Sequence, residues 1–290
     1  MIEAVPNLSE GRSKERIERI ASTVVESGCR LLDLHSDPDH NRSVLTIVGE
    51  PDRLVEAVVA LAGAAIEAID IRRHRGVHPR VGSLDVVPFV PLAGSTLDEA
   101  VLIARRAGSE IANRHGIPVY LYGAASPAGR DLPAIRKGGL RGLAERIGTP
   151  GWTPDFGPSR LHPRGGAVAV GARDPLVAYN VLLDTDDLEI GRRIASAIRE
   201  KGGGLPGVRA LPFYLKSRGL VQVSMNLTDV DATPIPRAFA FVRDEAERYG
   251  VKVVESEIVG LVPRRALKGA TAEEILARRD PAELILEERV

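Results

Sequence analysis

The chain has 290 residues, 39 basic and 39 acidic, with 44% apolar and 27% charged positions. That is an ordinary globular composition, long enough for one large domain or two medium ones, each with its own core. Nucleic-acid coats show a basic excess, and the balanced charge here argues against that class.

The single cysteine, Cys29, excludes an intrachain disulfide and a cysteine-based zinc site. Beside Leu31 and Leu32 it reads as a small buried hydrophobe. No uninterrupted apolar run reaches the ~18 residues of a membrane helix. Met1-Ile2-Glu3 leads straight into patterned sequence without the features of a leader, so a cytoplasmic, disulfide-free setting is expected. The sequon Asn41-Arg42-Ser43 is discounted for the same reason.

In chain order, residues 2–6 read as a strand ended by Pro6-Asn7. Ile17, Ile20, Ala21 and Val24 recur at helical spacing within 13–27. Strands follow at 30–35 and 43–49, the second rich in β-branched residues. Pro51-Asp52 opens a helix to about Ile69, and 84–91 is a strand. An appendage comes next. Thr96 and Glu99 form a capping box before a helix to about His115. A strand at 117–122, short helices over 131–147 broken at Gly138-Gly139, a Gly/Pro-rich loop over 148–166 and a strand at 168–170 complete it.

The second half repeats the order. A strand at 177–183 precedes a helix at 187–200, stopped by Gly202-Gly203-Gly204. Strands at 208–215 and 219–227 follow, and Val221, Val223 and Met225 alternate with Gln222, Ser224 and Asn226. Thr233 caps a helix opened by Pro234 that runs to Tyr249, and 251–258 is the last strand. From Thr271 a charged helix and an extended end are expected. The reading is α+β: two ferredoxin-like β-α-β-β-α-β subdomains, residues 1–176 and 177–290, facing across a ligand crevice.

Three polar loops carry the candidate chemistry. Pro6-Asn7-Leu8-Ser9-Glu10-Gly11 offers amide, hydroxyl and backbone donors at a helix start, which suits an anion or a polar ring; alone it is equally a capped turn. Asp37-Pro38-Asp39-His40-Asn41-Arg42 is otherwise a solvated hairpin loop. With His35 it holds metal-ligand types, but their spacing matches no closed site, so no metal is expected. The densest loop, Arg72 to Asp85, packs four arginines and two histidines before a strand. Crowded arginines lower a neighbouring histidine's pKa and leave it neutral, able to accept a proton. Arginine also pairs with carboxylates. A plain basic surface loop and a phosphate site are the competing readings. No G-x-G-x-x-G follows a strand, and P-loop, G-x-S-x-G and H-E-x-x-H motifs are absent, which weighs against nucleotide enzymes and common hydrolases.

At this loop the chain resembles the formiminotransferase family. The matching blocks are Val5-Pro6-Asn7-Leu8-Ser9-Glu10-Gly11, Asn41-Arg42-Ser43-Val44 and His78-Pro79-Arg80-Val81-Gly82-Ser83-Leu84-Asp85-Val86. The second half adds Gln222-Val223-Ser224-Met225-Asn226-Leu227 and Ser256-Glu257-Ile258-Val259-Gly260-Leu261-Val262-Pro263. The resemblance implies two ferredoxin-like halves around a folate tunnel and transfer of the formimino group from N-formimino-L-glutamate to N5 of tetrahydrofolate, the cosubstrate. His78 is implied as the base that takes the N5 proton and returns it to the leaving nitrogen. The family motif often has Glu where Val77 stands here. Arg42 and Arg80 are implied for ligand carboxylates, and Asn7, Ser9, Glu10, Asp39 and Gly82 for orientation and pterin contacts. Gln222, Asn226 and Glu257 would line the crevice from the second half. A homodimer with small-molecule substrates, no nucleic-acid partner and no membrane partner is likewise implied. The cyclodeaminase module of bifunctional members is expected to be missing. His74 is the rival base. Formyl transfer, hydrolysis of the same substrate and folate binding without turnover are the alternative activities.

Overall fold

The computed structural model describes residues 1–290 and divides them into two units, Met1–Asp174 and Pro175–Val290. In the first, the expected strand over 2–6 is β1 (Ile2–Ala4), and pairing resumes beyond Pro6 in a second short strand, β2 (Asn7–Leu8). Pro6 has no N–H to give a ladder, and its carbonyl accepts from Leu45 N at 3.0 Å instead. Both pieces lie between β4 (Arg42–Gly49) and β5 (Leu84–Pro91), antiparallel to each, with β3 (Arg30–Asp37) outside β4. The first four chain segments therefore stand in the order fourth, first, third, second.

Helix α1 (Lys14–Glu26) starts at Ser13, whose hydroxyl accepts from Arg16 N, and buries Ile17, Ile20, Ala21 and Val24, the stripe expected from spacing. Helix α2 (Pro51–Ala68) buries Leu54, Val58, Leu61 and Ala65 on the same sheet face. Each such Val, Leu or Ile contributes roughly 1.5–3 kcal/mol by leaving water. Cys29 is buried among them.

The expected appendage continues this sheet. Helix α3 (Leu97–His115), with the Thr96–Glu99 capping box in place, crosses to β6 (Val119–Gly123). Strand β7 (Val168–Ala172) inserts between β5 and β6, parallel to both, to make seven strands. Here both sheet faces are covered. One face meets α3; on the other, Val86, Tyr120 and Ala169 pack under Ile135 of α4 (Leu132–Arg136) and Leu143 of α5 (Gly139–Arg146). Two-sided burial explains why β5 and β7 are near-continuous apolar runs.

The second unit runs β8 (Val177–Leu183), α6 (Leu188–Ile198), β9 (Val208–Leu215), β10 (Leu220–Leu227), α7 (Ile235–Arg248) and β11 (Val253–Val259). Its antiparallel sheet has the order β11-β8-β10-β9, again fourth, first, third, second. Val221, Val223 and Met225 enter its core, as their alternation predicts. Two expectations fail here. Thr233 does not cap α7; its hydroxyl donates to Pro206 O at 2.7 Å, and Pro234 occupies the cap position. The tail forms no helix from Thr271. Leu276 has φ 49°, and beyond it only short 3-10 turns occur, at Pro281–Leu284 and Leu286–Glu288. The tail instead bridges Ser256 to Ala277 and Val262 to Ile285, so its apolar residues finish the second core. No helix is long and apolar enough to cross a membrane.

Candidate active site around His78

One asparagine ties the three polar loops of the first unit together. The turn before β4 is set by Asp37, whose carboxylate accepts from His40 N at 2.7 Å. Asn41 then takes φ 47°, a left-handed conformation that asparagine tolerates. From there its Oδ1 accepts from Gly11 N at 2.9 Å, and its Nδ2 donates to Arg75 O at 3.0 Å. Gly11 permits this approach, because a Cβ there would lie 2.1 Å from Asp37 O.

Arg42, the next residue, points to the sheet face away from α1 and α2, as does Asn7. Its Nε donates to Asn7 Oδ1 at 2.8 Å, and Nη2 donates to the same oxygen. Nη1 reaches the His78 ring, 2.6 Å from Nε2. His78 Nδ1 lies 2.7 Å from Pro79 O, which can only accept, and 2.8 Å from Arg42 Nη1, which is nearer to Nε2; the carbonyl favours the tautomer with the proton on Nδ1 and Nε2 as the basic nitrogen. The His40 ring stands 6.1 Å from the His78 ring, centre to centre.

Arg80 has a different role. Its guanidinium donates to His78 O at 3.0 and 2.7 Å, to His40 O at 2.8 Å and to Asn41 O at 3.1 Å. It also donates to His74 Nδ1 at 2.8 Å, while His74 Nε2 lies 2.8 Å from Asn41 O. Both His74 nitrogens are thus engaged by groups that are themselves fixed. Gly76 lets the loop close, since a Cβ there would sit 2.3 Å from His40 O.

The electrostatics follow from burial, offset only in part by the nearby Asp85 carboxylate. Burial, with Arg136 nearby, lowers Arg42 to about 9, and burial lowers Arg80 to about 10. Neither guanidinium has a carboxylate at ion-pair distance. Burial and the adjacent Arg42, Arg136 and His40 hold His78 well below the ordinary imidazole range, so its ring is neutral at pH 7. Burial and Arg80 bring His74 down to about 4. A cavity of ≈ 390 Å³ opens beside the two histidines, lined also by Arg72, Arg75, Arg80 and Arg141. A neutral base beside arginines that have no carboxylate in ion-pair contact is equipped to receive an anionic substrate and move a proton.

Residues 1–173 match the formiminotransferase domain, N-terminal subdomain, and residues 178–289 match the formiminotransferase domain. The chain belongs to the formiminotransferase family. Among relatives of this family, the glutamate formimidoyltransferase of Thermoplasma acidophilum is 50% identical over 92% of this chain and 89% of its own length. That of Streptococcus pyogenes is 42% identical over 92% and 90%. The formimidoyltransferase-cyclodeaminase of Rattus norvegicus is 43% identical over 94% of this chain, which spans 52% of that longer protein.

Against this formiminotransferase frame, His78, Asn7 and Arg42 come together through side chains, and Arg80 joins them through the backbone. Ser9 donates to Gly82 O at 2.6 Å, and Gly82 is packed so closely that a Cβ would lie 1.9 Å from Ala167 O. Glu10 fixes the turn before α1, accepting from Arg12 N, Ser13 N and the Arg16 guanidinium. Asp39 supports the His78 loop through its carbonyl, which accepts from Val77 N at 3.4 Å. In the second unit, Gln222 and Glu257 are buried and Asn226 is exposed. Glu257 accepts from Asn180 at 3.3 Å. Residue spacing left out Asn180 and Arg136. A buried polar residue inside the apolar run of β8 was a readable signal for Asn180; a lone arginine on a short helix gave none for Arg136.

Proposed function

We propose that this chain transfers the formimino group from N-formimino-L-glutamate to N5 of tetrahydrofolate, releasing L-glutamate, with His78 as the proton carrier. A bond forms from N5 to the formimino carbon, the bond from that carbon to the glutamate nitrogen breaks, and the proton lost by N5 goes to the leaving nitrogen. His78 Nε2 takes and returns that proton, while Nδ1–H stays on Pro79 O and holds the ring in one tautomer. Arg42, half-buried and without a carboxylate at ion-pair distance, is the first candidate for a substrate carboxylate. The observation that carries the reading is the Asn7–Arg42–His78 contact in a chain of this family.

The fit to a folate rests on donor chemistry. The arginine-lined cavity suits a carboxylate-bearing ligand, and Asn7, whose amide is taken up by Val5 O and Arg42, serves by orienting Arg42. Ser9, Glu10 and Gly82 shape the pterin side by fixing backbone, and Asp39 and Arg80 support the His78 loop. Ligand contacts from Gln222, Asn226 and Glu257 are part of the same proposal. So are the ferredoxin-like description of both units (1–176 with the base, 177–290), the homodimer and a cytoplasmic setting, all of which lean on the family. Both histidines have both ring nitrogens engaged; His78 is preferred because its Nε2 partner, Arg42, is the proposed carboxylate ligand, whereas the His74 partner Arg80 is tied to the His78, His40 and Asn41 carbonyls.

The test compares formimino transfer by His78→Ala and His74→Ala. His78→Ala is expected to lose roughly 10²–10⁴-fold in kcat, the usual worth of a general base, and His74→Ala far less. Loss confined to His74→Ala would reassign the base.

A further inference from the structure

The cavity beside His78 has two walls. One is the His78 loop, and the other is Leu140 and Arg141 at the start of α5. The walls lie close together, since a Cβ on Gly139 would stand 3.6 Å from Arg80 O. Four arginines line the cavity, Arg72, Arg75, Arg80 and Arg141, and their partners sort them. Arg72 is taken up by Asp70, with Nε at 2.8 Å and Nη2 at 2.6 Å from its carboxylate. Arg80 is taken up by loop carbonyls and His74. Arg75 donates only to backbone, from Nη1 to Arg72 O at 3.4 Å and His74 O at 2.9 Å, and its own carbonyl is held by Asn41 Nδ2. Arg141 meets Glu145 one turn along its helix at 3.1 Å, with both side chains in solvent, a screened pair that contributes little. One cation on each wall therefore faces the cavity without a firm anionic partner.

We propose that Arg75 and Arg141 form a carboxylate subsite in this cavity, which grips the side-chain carboxylate of N-formimino-L-glutamate and sets the preference for a glutamyl over a glutaminyl donor. The inference rests on the transfer reading and deepens it. That donor carries two carboxylates, and Arg42, the first candidate for one of them, is not among the lining residues. His78 is, so the subsite and the proposed base share one space. At ≈ 390 Å³ the cavity stands at the small end of ligand pockets, the scale of an amino-acid derivative rather than of a whole folate. A guanidinium binds a carboxylate more strongly than an amide of the same shape, which makes two of them selective for charge. Both arginines are exposed, so a ligand reaches them from solvent and displaces only the Glu145 contact. The glutamyl tail of a folate offers the same carboxylate chemistry, and the experiment separates the two sources.

The test is calorimetric titration of the full chain with N-formimino-L-glutamate and with N-formimino-L-glutamine, for the wild type, Arg75→Met and Arg141→Met. KM for the donor and KM for tetrahydrofolate are measured alongside. The wild type is expected to bind the glutamyl compound at least about tenfold more tightly than the glutaminyl one. Each variant should bind the glutamyl compound about tenfold more weakly and the glutaminyl compound as the wild type does. KM for the donor should rise to match, with kcat and KM for tetrahydrofolate nearly unchanged. Arg75→Gln or Arg141→Gln replaces a Met variant that does not fold. A wild type without the preference overturns the proposal, as do variants with wild-type affinity for the glutamyl compound or equal losses for both compounds. A KM rise confined to tetrahydrofolate also overturns it and gives the cavity to the folate tail. The calorimetry needs no turnover. A wild type that binds the donor with this preference and does not transfer its formimino group would sink the transfer reading and leave the subsite standing.

Discussion

Two histidines four residues apart sit in the same arginine-rich loop, and their hydrogen bonds separate them. His74 is held by Arg80 and Asn41 O, and its folded-state pKa of about 4 lies below its ordinary 6.5. A depressed histidine contributes stability that is present in full above the unfolded value and is lost as pH falls through the folded one. The denaturant midpoint of the wild type should therefore drop between pH 6.5 and about 4. His74→Asn should flatten that drop, and an unchanged slope in the variant would show that His74 is not buried neutral. At this scale loop polarity marked the three segments, and the resemblance to the family singled out His78, Asn7 and Arg42 within them. It could not show that Asn41, in a left-handed conformation, brings Gly11 and Arg75 to one point. Contacts between loops carry no period, and Arg136 lies on a helix too short for one.

Among the elements, β1 carries an oddity. Ile2 and Ala4 enter the core under the helices, and Glu3 is buried on the opposite face, level with Val48 and Val90. Burial raises its carboxyl from 4.5 to about 7, with Arg173 pulling only partly the other way. The sign is the reverse of His74: the folded state favours the protonated acid, so stability is lost as pH rises from 4.5 through 7. Glu3→Gln should remove that loss and stabilise the protein at pH 8 by up to about 3 kcal/mol, read from urea midpoints at pH 5 and pH 8. A variant no more stable than wild type at pH 8 would mean the carboxylate is well compensated there. Helix and strand periods placed nearly every element. They missed the resumption of pairing at Asn7–Leu8 beyond Pro6, and they predicted a helix from Thr271 where bridges from the tail to Ser256 and Val262 outweigh charge-rich helix propensity.

At the scale of the chain, two units share one strand order, and the repeat was legible from the alternating periods. The parallel extension of the first sheet was not, because α3 and the two-sided cover of β5–β7–β6 decide it, and both are tertiary. The chain spans 89% of the glutamate formimidoyltransferase of Thermoplasma acidophilum and about half of the formimidoyltransferase-cyclodeaminase of Rattus norvegicus. Release of glutamate from N-formimino-L-glutamate, measured with and without tetrahydrofolate, asks the central question directly. The account predicts release that requires tetrahydrofolate and matches, mole for mole, the 5-formimidoyltetrahydrofolate formed. Release at the same rate without folate would contradict it and make the chain a hydrolase.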